Sequence, residues 1–488
     1  MAKQTLQERT VIAQAIVEMS GDKLLIPENM THDEAIQSIM RHKKMQEEVV
    51  AISRNFDAFP WDGAVATSKI LCDKFGWVNQ LSSWFQQSQL VTVEVAYGKS
   101  IQVPWGTFAL PGIEGTITTG TGERYGRTVF QITAQVKRKY ENQVKELLDQ
   151  IQAYLRNNSI YRGKAIEIDF DQQNDYGFFE PKFLNVDVDP HGLVLPDDIR
   201  ELVETEVFTP IQRAEEMAKH GISFRACVVL AGTYGTGKTL TMAIAAYWCT
   251  QHGMFFLKAK RASQLAQAIG FARYYENPNG AVVSCEDFDR VASGERTETL
   301  DDLLNVVDGV DSKTSKVFCV LTTNAVEAVN EAALRSGRVR QVIGFRPPDA
   351  KAVEALIRYY GAGIVDEDAD LTEVGEALEG NIPATIADVI ASSKLAMLKR
   401  APIGTRFLTV SAESLLAAAK AKEHQTALVN RRKEVPQLPT IDQAIRNLVV
   451  EGIADAVGAM VLEGDKLVLK KEVYKFRTNG SQIKLLDN

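Results

Sequence analysis

The sequence predicts an α/β fold: a parallel sheet covered by helices, preceded by an α+β region and followed by a helical one. Three observations predict it. Short apolar runs alternate with helix-periodic stretches from residue 185 to 348, as in a parallel sheet buried on both faces. A glycine-rich loop, "GTYGTGKT", joins one such run to the helix after it. From "RPPDAKAVEALIRYY" to about residue 425 the spacing is helical almost throughout.

Taken in order, "IRELVETEVFTPIQRAEEMAKHG" reads as helix, "ACVVLAG" as a buried strand and "KTLTMAIAAYWCTQHG" as a helix. "MFFLKA" is a strand, with a helix over 262–275. "AVVSC" and "KVFCVLTT" are strands, and "TLDDLLNVVDGV" between them contains a helix. Upstream, "THDEAIQSIMRHKKMQEEVVAISRNF" keeps a helical rhythm from Ala35 through Ile36, Ile39 and Met40 to Val49, Val50 and Ile52. Thr31 and Glu34 are spaced to cap it. "LVTVEVAYGKSIQVPWG" alternates and breaks at Tyr97-Gly98-Lys99 as a hairpin does, and "GTITTGTGERYGRTVFQITAQV" is a further strand pair. "ENQVKELLDQIQAYL" returns to helix, with Val144, Leu147, Leu148, Ile151 and Leu155 on one face. "AMVLEGDKLVLKKEVYKF" near the end reads as a hairpin. The expected division is an N-terminal α+β domain over 1–184, a P-loop domain over 185–348, a helical lid over 349–425 and a small C-terminal extension over 426–488.

Bulk properties exclude some classes. A length of 488 residues is too great for one ordinary core. The net charge of −8 argues against a protein that binds nucleic acid over its whole surface. The five cysteines, an odd count with several inside apolar runs, suit a reducing cytoplasm; none forms a C-x-x-C pair, and no H-E-x-x-H zinc motif occurs. No run of eighteen apolar residues predicts a membrane span, and the polar start "MAKQTLQERT" has no apolar secretory core.

Gly232 to Thr239 fits G-x-x-x-x-G-K-[ST], between a strand and a helix as that motif requires. Gly235 and Gly237 allow backbone N–H groups to turn inward around phosphate oxygens, at a helix N-terminus whose dipole favours negative charge. Lys238 is expected to reach the β- and γ-phosphates of a nucleotide, and Thr239 to offer its hydroxyl to Mg²⁺. Gly232, Thr233, Thr236 and Leu240 complete the expected nucleotide-binding set. About fifty residues on, "AVVSCEDFDR" is a strand ending on acids, Glu286 and Asp287, a pattern that handles a metal ion or a water. The usual order in nucleotide hydrolases is Asp then Glu; here it is reversed.

Over about residues 200–425 the chain resembles the AAA+ ATPases, specifically the protein-remodelling AAA group, through "GTYGTGKT", "VVSCEDFD", "LLNVVDGV", "LTTN", "ALRSGRVR" and "NIPATIADVI". The resemblance implies ATP and Mg²⁺ as cofactors, ATP hydrolysis, and a homo-oligomeric ring, a hexamer. It implies that Asn324 is the first sensor, orienting the attacking water, and that Arg335 and Arg338 are arginine fingers for a neighbouring subunit. Glu286 falls in the metal-side role and Asp287 in the water-activating role. Pro383 and Ala384 fall where a lid helix packs near the adenine. Glu–Asp at the strand end and Pro–Ala in the lid are similar to the mitochondrial members that translocate the folded Rieske iron–sulfur protein. Those carry a membrane anchor and this sequence shows none, so a membrane task is not expected here. The aromatic–hydrophobic–glycine pore loop of unfoldases has one candidate, "AIGF" at Ala268–Phe271, which fits a plain amphipathic helix equally well.

The leading expectation is therefore a ring that remodels or translocates a protein substrate or adaptor, with residues 1–184 as the recognition domain. Trp61 in "FPWDG" and Trp105 in "QVPWG" are expected in loops, with Trp61 or Trp105 at the contact. A nucleic-acid-linked AAA+ ATPase, a loader or replication accessory, is the alternative, on the short basic stretches "KRKYENQVK" and "NRRK". A nucleotide-dependent scaffold with little hydrolysis is the third reading.

The finger assignment makes a prediction. Arg338→Ala should leave nucleotide affinity unchanged and remove most turnover, because the guanidinium acts on a neighbour's nucleotide. Mixing inactive Arg338→Ala and Lys238→Ala subunits should restore part of the phosphate release, since one complete interface can then form. Mixtures that stay as inactive as the separate variants would refute the assignment.

Overall fold

The computed structural model describes residues 31–76, 82–83, 86–87, 89–124, 127–275, 280–288, 316–324, 339–403, 409–433 and short strands within 460–482. The described residues open with helix α1 (His32–Glu47), closed at its start by the expected capping box. The Glu34 N–H donates to Thr31 Oγ1 at 3.4 Å, and the Thr31 N–H donates to the Glu34 carboxylate at 3.1 Å. The helix ends sooner than its rhythm suggests. Val49, Val50 and Ile52 lie on strand β1 (Val49–Phe56), which pairs antiparallel with β5 (Arg127–Lys137) from Val49↔Lys137 to Phe56↔Phe130. β-Branched residues beside a partner strand favour the ladder over another helical turn.

Helix α2 (Pro60–Phe75) follows, then β2 (Gln89–Ala96), β3 (Lys99–Leu110) and β4 (Ile113–Arg124). The antiparallel sheet has the order β1-β5-β4-β3-β2. β2 and β3 join through the expected two-residue turn, Tyr97-Gly98, with Gly98 at φ 66°. Helix α3 (Glu141–Asn157) covers the sheet and buries all five apolar residues its spacing picks out.

The expectation for the tryptophans fails here. "FPWDG" is a helix start, with Pro60 at the first helical position where its missing N–H costs nothing. Trp61 in that first turn is 2% exposed, and Trp105 on β3 is 9% exposed. Their rings meet edge-on at 4.9 Å, and Trp61 Nε1–H donates to Glu180 at 3.2 Å. Gly63, one turn into α2, permits this packing: a Cβ there would lie 2.0 Å from the Phe130 ring. Both tryptophans are core. Trp77 and Trp84 lie outside the described residues.

The second sheet has seven strands. β6 (Ala165–Ile168) and β7 (Lys182–Phe183) precede β8 (Ala226–Gly232), β9 (Phe255–Ala259), β10 (Ala281–Cys285), β11 (Val317–Thr323) and β12 (Gln341–Phe345). The order is β12-β8-β11-β10-β9-β6-β7, parallel except for the β6–β7 pair. Two of its strands thus come from before residue 184. On one face a continuous apolar core runs from Phe56, Trp61 and Ile117 of the first sheet, through helix α6 (Leu265–Tyr275), to Phe255, Val283 and Leu321. The other face packs under α4 (Asp197–Val203) and α5 (Lys238–Gln251), the latter beginning at the P-loop. The boundary expected at residue 184 thus falls after two strands of the P-loop sheet and within a core that both sheets share.

A third core holds the four lid helices, α7 (Ala350–Tyr360), α8 (Thr372–Leu378), α9 (Pro383–Arg400) and α10 (Ala412–Lys433). Asp349 caps α7 by accepting from Ala352 N–H at 2.9 Å. The expected C-terminal hairpin is present as Met460–Glu463 paired antiparallel with Lys466–Leu469. Among the described residues no helix is long and apolar enough to cross a membrane.

Between the first sheet and the rest sits a buried carboxyl. Asp62 is 3% exposed and accepts from Ser159 Oγ at 3.0 and 2.8 Å and from Ile160 N–H at 2.7 Å. Burial pushes its carboxyl up to about 6, against the smaller opposing effect of those hydrogen bonds. A folded value above the unfolded one gives stability that is fully present below the unfolded value of 3.8 and lost as the pH rises through about 6. Asp62→Asn keeps the shape and cannot ionise. Thermal melts should show the parent losing stability relative to Asp62→Asn between pH 4 and 7. A parallel pair of Tm curves across that range would contradict the assignment.

Candidate nucleotide site

The P-loop joins β8 to α5 at the carboxyl end of β8, which is flanked by two parallel strands, β12 on one side and β11 on the other. Crevices at the carboxyl ends of such strands are where α/β sheets bind ligands. Gly232, Gly235 and Gly237 have φ of 156°, 76° and 104°. A side chain at Gly232 would meet the Phe345 carbonyl at 2.2 Å. The loop is braced from within: Thr236, buried, donates through Oγ1 to the Thr233 carbonyl at 2.8 Å, and Thr241 Oγ1 donates to the Gly237 carbonyl at 3.0 Å. Lys238 Nζ donates to the carbonyls of Gly232 and Thr233 at 2.6 and 2.7 Å, which holds the ammonium in the mouth of the loop.

The acids stand one strand further along, beyond β11. β10 pairs in register with β11, Cys285 opposite Leu321, so β10 ends two residues before β11 and the acids lie beside the last residues of β11. Asp287 is the one non-glycine residue with positive φ among the described residues, at 47°. Its N–H donates to Thr322 Oγ1 at 3.1 Å, and its carboxylate accepts from Asn324 Nδ2 at 2.6 Å. Left-handed backbone is tolerated by aspartate far better than by glutamate. The reversed acid order therefore puts the residue suited to the turn at the turn. Glu286, just before it, takes a different partner: Lys258 Nζ on β9 lies 2.7 Å from its Oε2.

These groups line one cavity of about 350 Å³. Gly235 to Leu240 form one wall, Glu286, Asp287, Thr322 and Asn324 another, and the lid supplies Leu356, Tyr360 and Pro383. The segment Gly192–Val194 closes the remaining side, and Asp189 beside it accepts from Tyr359 of the lid at 3.0 Å. Gly232 and Thr233 act through their carbonyls from behind the loop, and Ala384 is exposed next to Pro383 rather than on the cavity wall. Arg335 and Arg338 lie outside the described residues, as does "LLNVVDGV".

The donor set suits a hard divalent cation held partly by phosphate. Thr239 and Glu286 bring oxygen donors into the same cavity. Among the described residues no cluster of three or more His, Cys, Asp or Glu forms a self-sufficient metal cage. Sequence reasoning missed Gly192–Val194, Tyr360, Thr322 and Lys258. Thr322 was within reach, one step inside "LTTN"; the others are brought in from distant segments by the fold alone.

"AIGF" is helix. Ala268 and Ile269 on α6 are 0% and 2% exposed, and Phe271 packs edge-on against Phe59 at 5.6 Å and Phe179 at 5.7 Å.

Residues 228–347 match the family model described as ATPase family associated with various cellular activities (AAA). The chain is 25% identical over 215 residues to Protein SAV of Sulfolobus acidocaldarius, covering 41% of this chain and 27% of that protein. It is 26% identical over 225 residues to 26S proteasome regulatory subunit 6A of Schizosaccharomyces pombe, covering 42% and 50%. It is 25% identical over 213 residues to the ATP-dependent zinc metalloprotease FtsH of Syntrophotalea carbinolica, covering 40% and 32%. The chain thus spans half or less of the length of these relatives. With the loop, the acids and Asn324 meeting in one cavity, the conclusion is that residues 228–347 of this chain match an AAA ATPase domain.

Proposed function

We propose that the protein is an ATP-hydrolysing, ring-forming AAA+ ATPase that remodels or translocates a protein partner. The observation that carries this reading is the convergence of the P-loop, Glu286, Asp287, Asn324 and the lid on one cavity. The loop amides and Lys238 bind the β- and γ-phosphates, and Thr239 and Glu286 hold Mg²⁺, which shields the phosphate charge when bound. Asp287 takes the proton of, or orients, the attacking water. Asn324, fixed on Asp287 at 2.6 Å, sets the direction of that carboxylate and senses the γ-phosphate beside it. Leu356, Tyr360 and Pro383 pack against the base.

Ring formation rests on Arg335 and Arg338 as fingers for the adjoining subunit. Two relatives bear the names of a proteasome regulatory subunit and an ATP-dependent metalloprotease, which supports a protein partner over a nucleic acid. The acid order and Pro383-Ala384 support kinship with the mitochondrial Rieske-protein translocases within the family. The antiparallel N-terminal sheet, fused to the ATPase core rather than tethered to it, is the proposed partner-selecting element.

Two variants test the reading. Lys238→Ala should weaken ATP binding by roughly 100-fold in calorimetry, since a buried counter-charge is removed. Asp287→Asn can keep the left-handed turn, so it should bind ATP as the parent does while phosphate release falls by about 100-fold. Parental ATP affinity in Lys238→Ala, or parental turnover in Asp287→Asn, would reject the proposed roles.

A further inference from the structure

Lys258 is a buried-sheet lysine with two carboxylates and no part in the roles assigned so far. It lies on β9 in register with Ser284 of β10 on one side and with Glu167 of β6 on the other. Paired residues on neighbouring strands share a face, and Glu286 is two residues past Ser284, so all three charged side chains rise from the same side of the sheet. Nζ is 2.7 Å from Glu286 Oε2 and 3.7 Å from Glu167 Oε2. The three side chains are only 26–31% exposed, so their mutual attraction is weakly screened.

We propose that Lys258 is a movable counter-ion that alternates between Glu286 and Glu167 and so sets how readily Glu286 accepts the divalent cation. This deepens the nucleotide-site reading and rests on it. Glu286 cannot serve a divalent cation fully while an ammonium sits 2.7 Å from it, because the two cations repel each other across one carboxylate. Lys258 has somewhere to go. A change of side-chain rotamer closes the 3.7 Å gap to Glu167 and leaves both carboxylates neutralised, one by lysine and one by the metal. Asp287 stays out of this exchange, since its carboxylate is engaged with Asn324.

The second resting place has a consequence. Glu167 is on β6, the strand that arrives from the N-terminal region. Three residues on, Phe170 packs against Phe179 at 4.8 Å and Phe271 at 6.3 Å, in the aromatic group that includes Phe59 of the N-terminal region. A partner that shifts this group moves β6 and with it the distance from Glu167 to Lys258. The metal site would thereby register what the N-terminal region holds.

The test is a Mg²⁺ titration of the full chain with a fluorescent, non-hydrolysable ATP analogue, together with the affinity of the same analogue in EDTA. Lys258→Met should lower the half-saturating Mg²⁺ by about tenfold, the scale of one neighbouring charge. Glu167→Gln should raise it several-fold, because Lys258 is then confined to Glu286. In a Glu286→Gln background the Lys258→Met effect should vanish. Affinity in EDTA should be unchanged in Lys258→Met and in Glu167→Gln, which also reports an intact fold. If Lys258 merely staples three strands together, both variants lower stability and shift the Mg²⁺ half-point little or in the same direction, and the proposal is overturned. Should the parent chain fail to bind the analogue even in EDTA, the nucleotide-site reading itself fails and this one falls with it. Parental binding in EDTA with an unmoved half-point overturns the counter-ion alone.

Discussion

β8, β10 and β11 are buried along their whole length, with one core above them and another below. That arrangement forbids slippage. Moving one of these strands by a single residue would exchange its side chains between the two faces, and every contact on both sides would be wrong at once. Register is therefore fixed by packing, and register decides where each strand stops. β8 ends at Gly232 and β11 at Thr323, with Ala231 opposite Thr323, and β10 ends at Cys285 opposite Leu321, so that the residues after it lie level with the last two of β11. The loop amides, the acids and Asn324 are simply the next residues out. The site is a consequence of three strand ends held in line, and its geometry is as rigid as the cores that hold them.

Within that frame the acid pair divides by backbone and by length. Residue 287 turns through left-handed φ, so its side chain is best short and able to hydrogen-bond locally, and aspartate satisfies both with Thr322 and Asn324 as neighbours. Residue 286 still has strand geometry behind it and must reach across to β9, for which the longer glutamate is suited. An Asp–Glu order would put the longer acid at the strained turn and leave the shorter one reaching for Lys258. The reversal is consistent with a working site arranged on a different backbone, rather than with the loss of one.

The features legible in the sequence are those set by neighbours in the chain. The P-loop, the strand before it, the Thr31 cap, the Tyr97-Gly98 turn and the face of α3 all depend on residues within a few positions of one another. What was misread depends on distant partners. Val49–Ile52 continues a helical rhythm, yet β5 lies eighty residues away in sequence and claims it as strand. Trp61 follows a proline as a loop residue might, yet Trp105 and Phe178 enclose it. Ala165–Ile168 is too short to announce its sheet, and only its pairing with Phe256–Ala259 shows that it belongs with the P-loop. Lys258 could not be found at all from sequence, because its two carboxylates come from strands on opposite sides of it.

The placement of α6 constrains how such a machine could act on a partner. For Ala268–Phe271 to grip a chain in a central channel, Ile269 would have to leave a core in which it is 2% exposed. Exposing one such side chain costs about 1.5–3 kcal/mol, and Phe271 would also give up its contacts with Phe59, Phe170 and Phe179. Those same contacts join α6 to the N-terminal region, so withdrawing the helix would loosen both at once. The fold instead favours transmission through intact packing. Under the proposed function, any movement at the strand ends would pass to the N-terminal sheet through β6 and α6 as a displacement of whole elements, because close-packed cores shift rather than stretch.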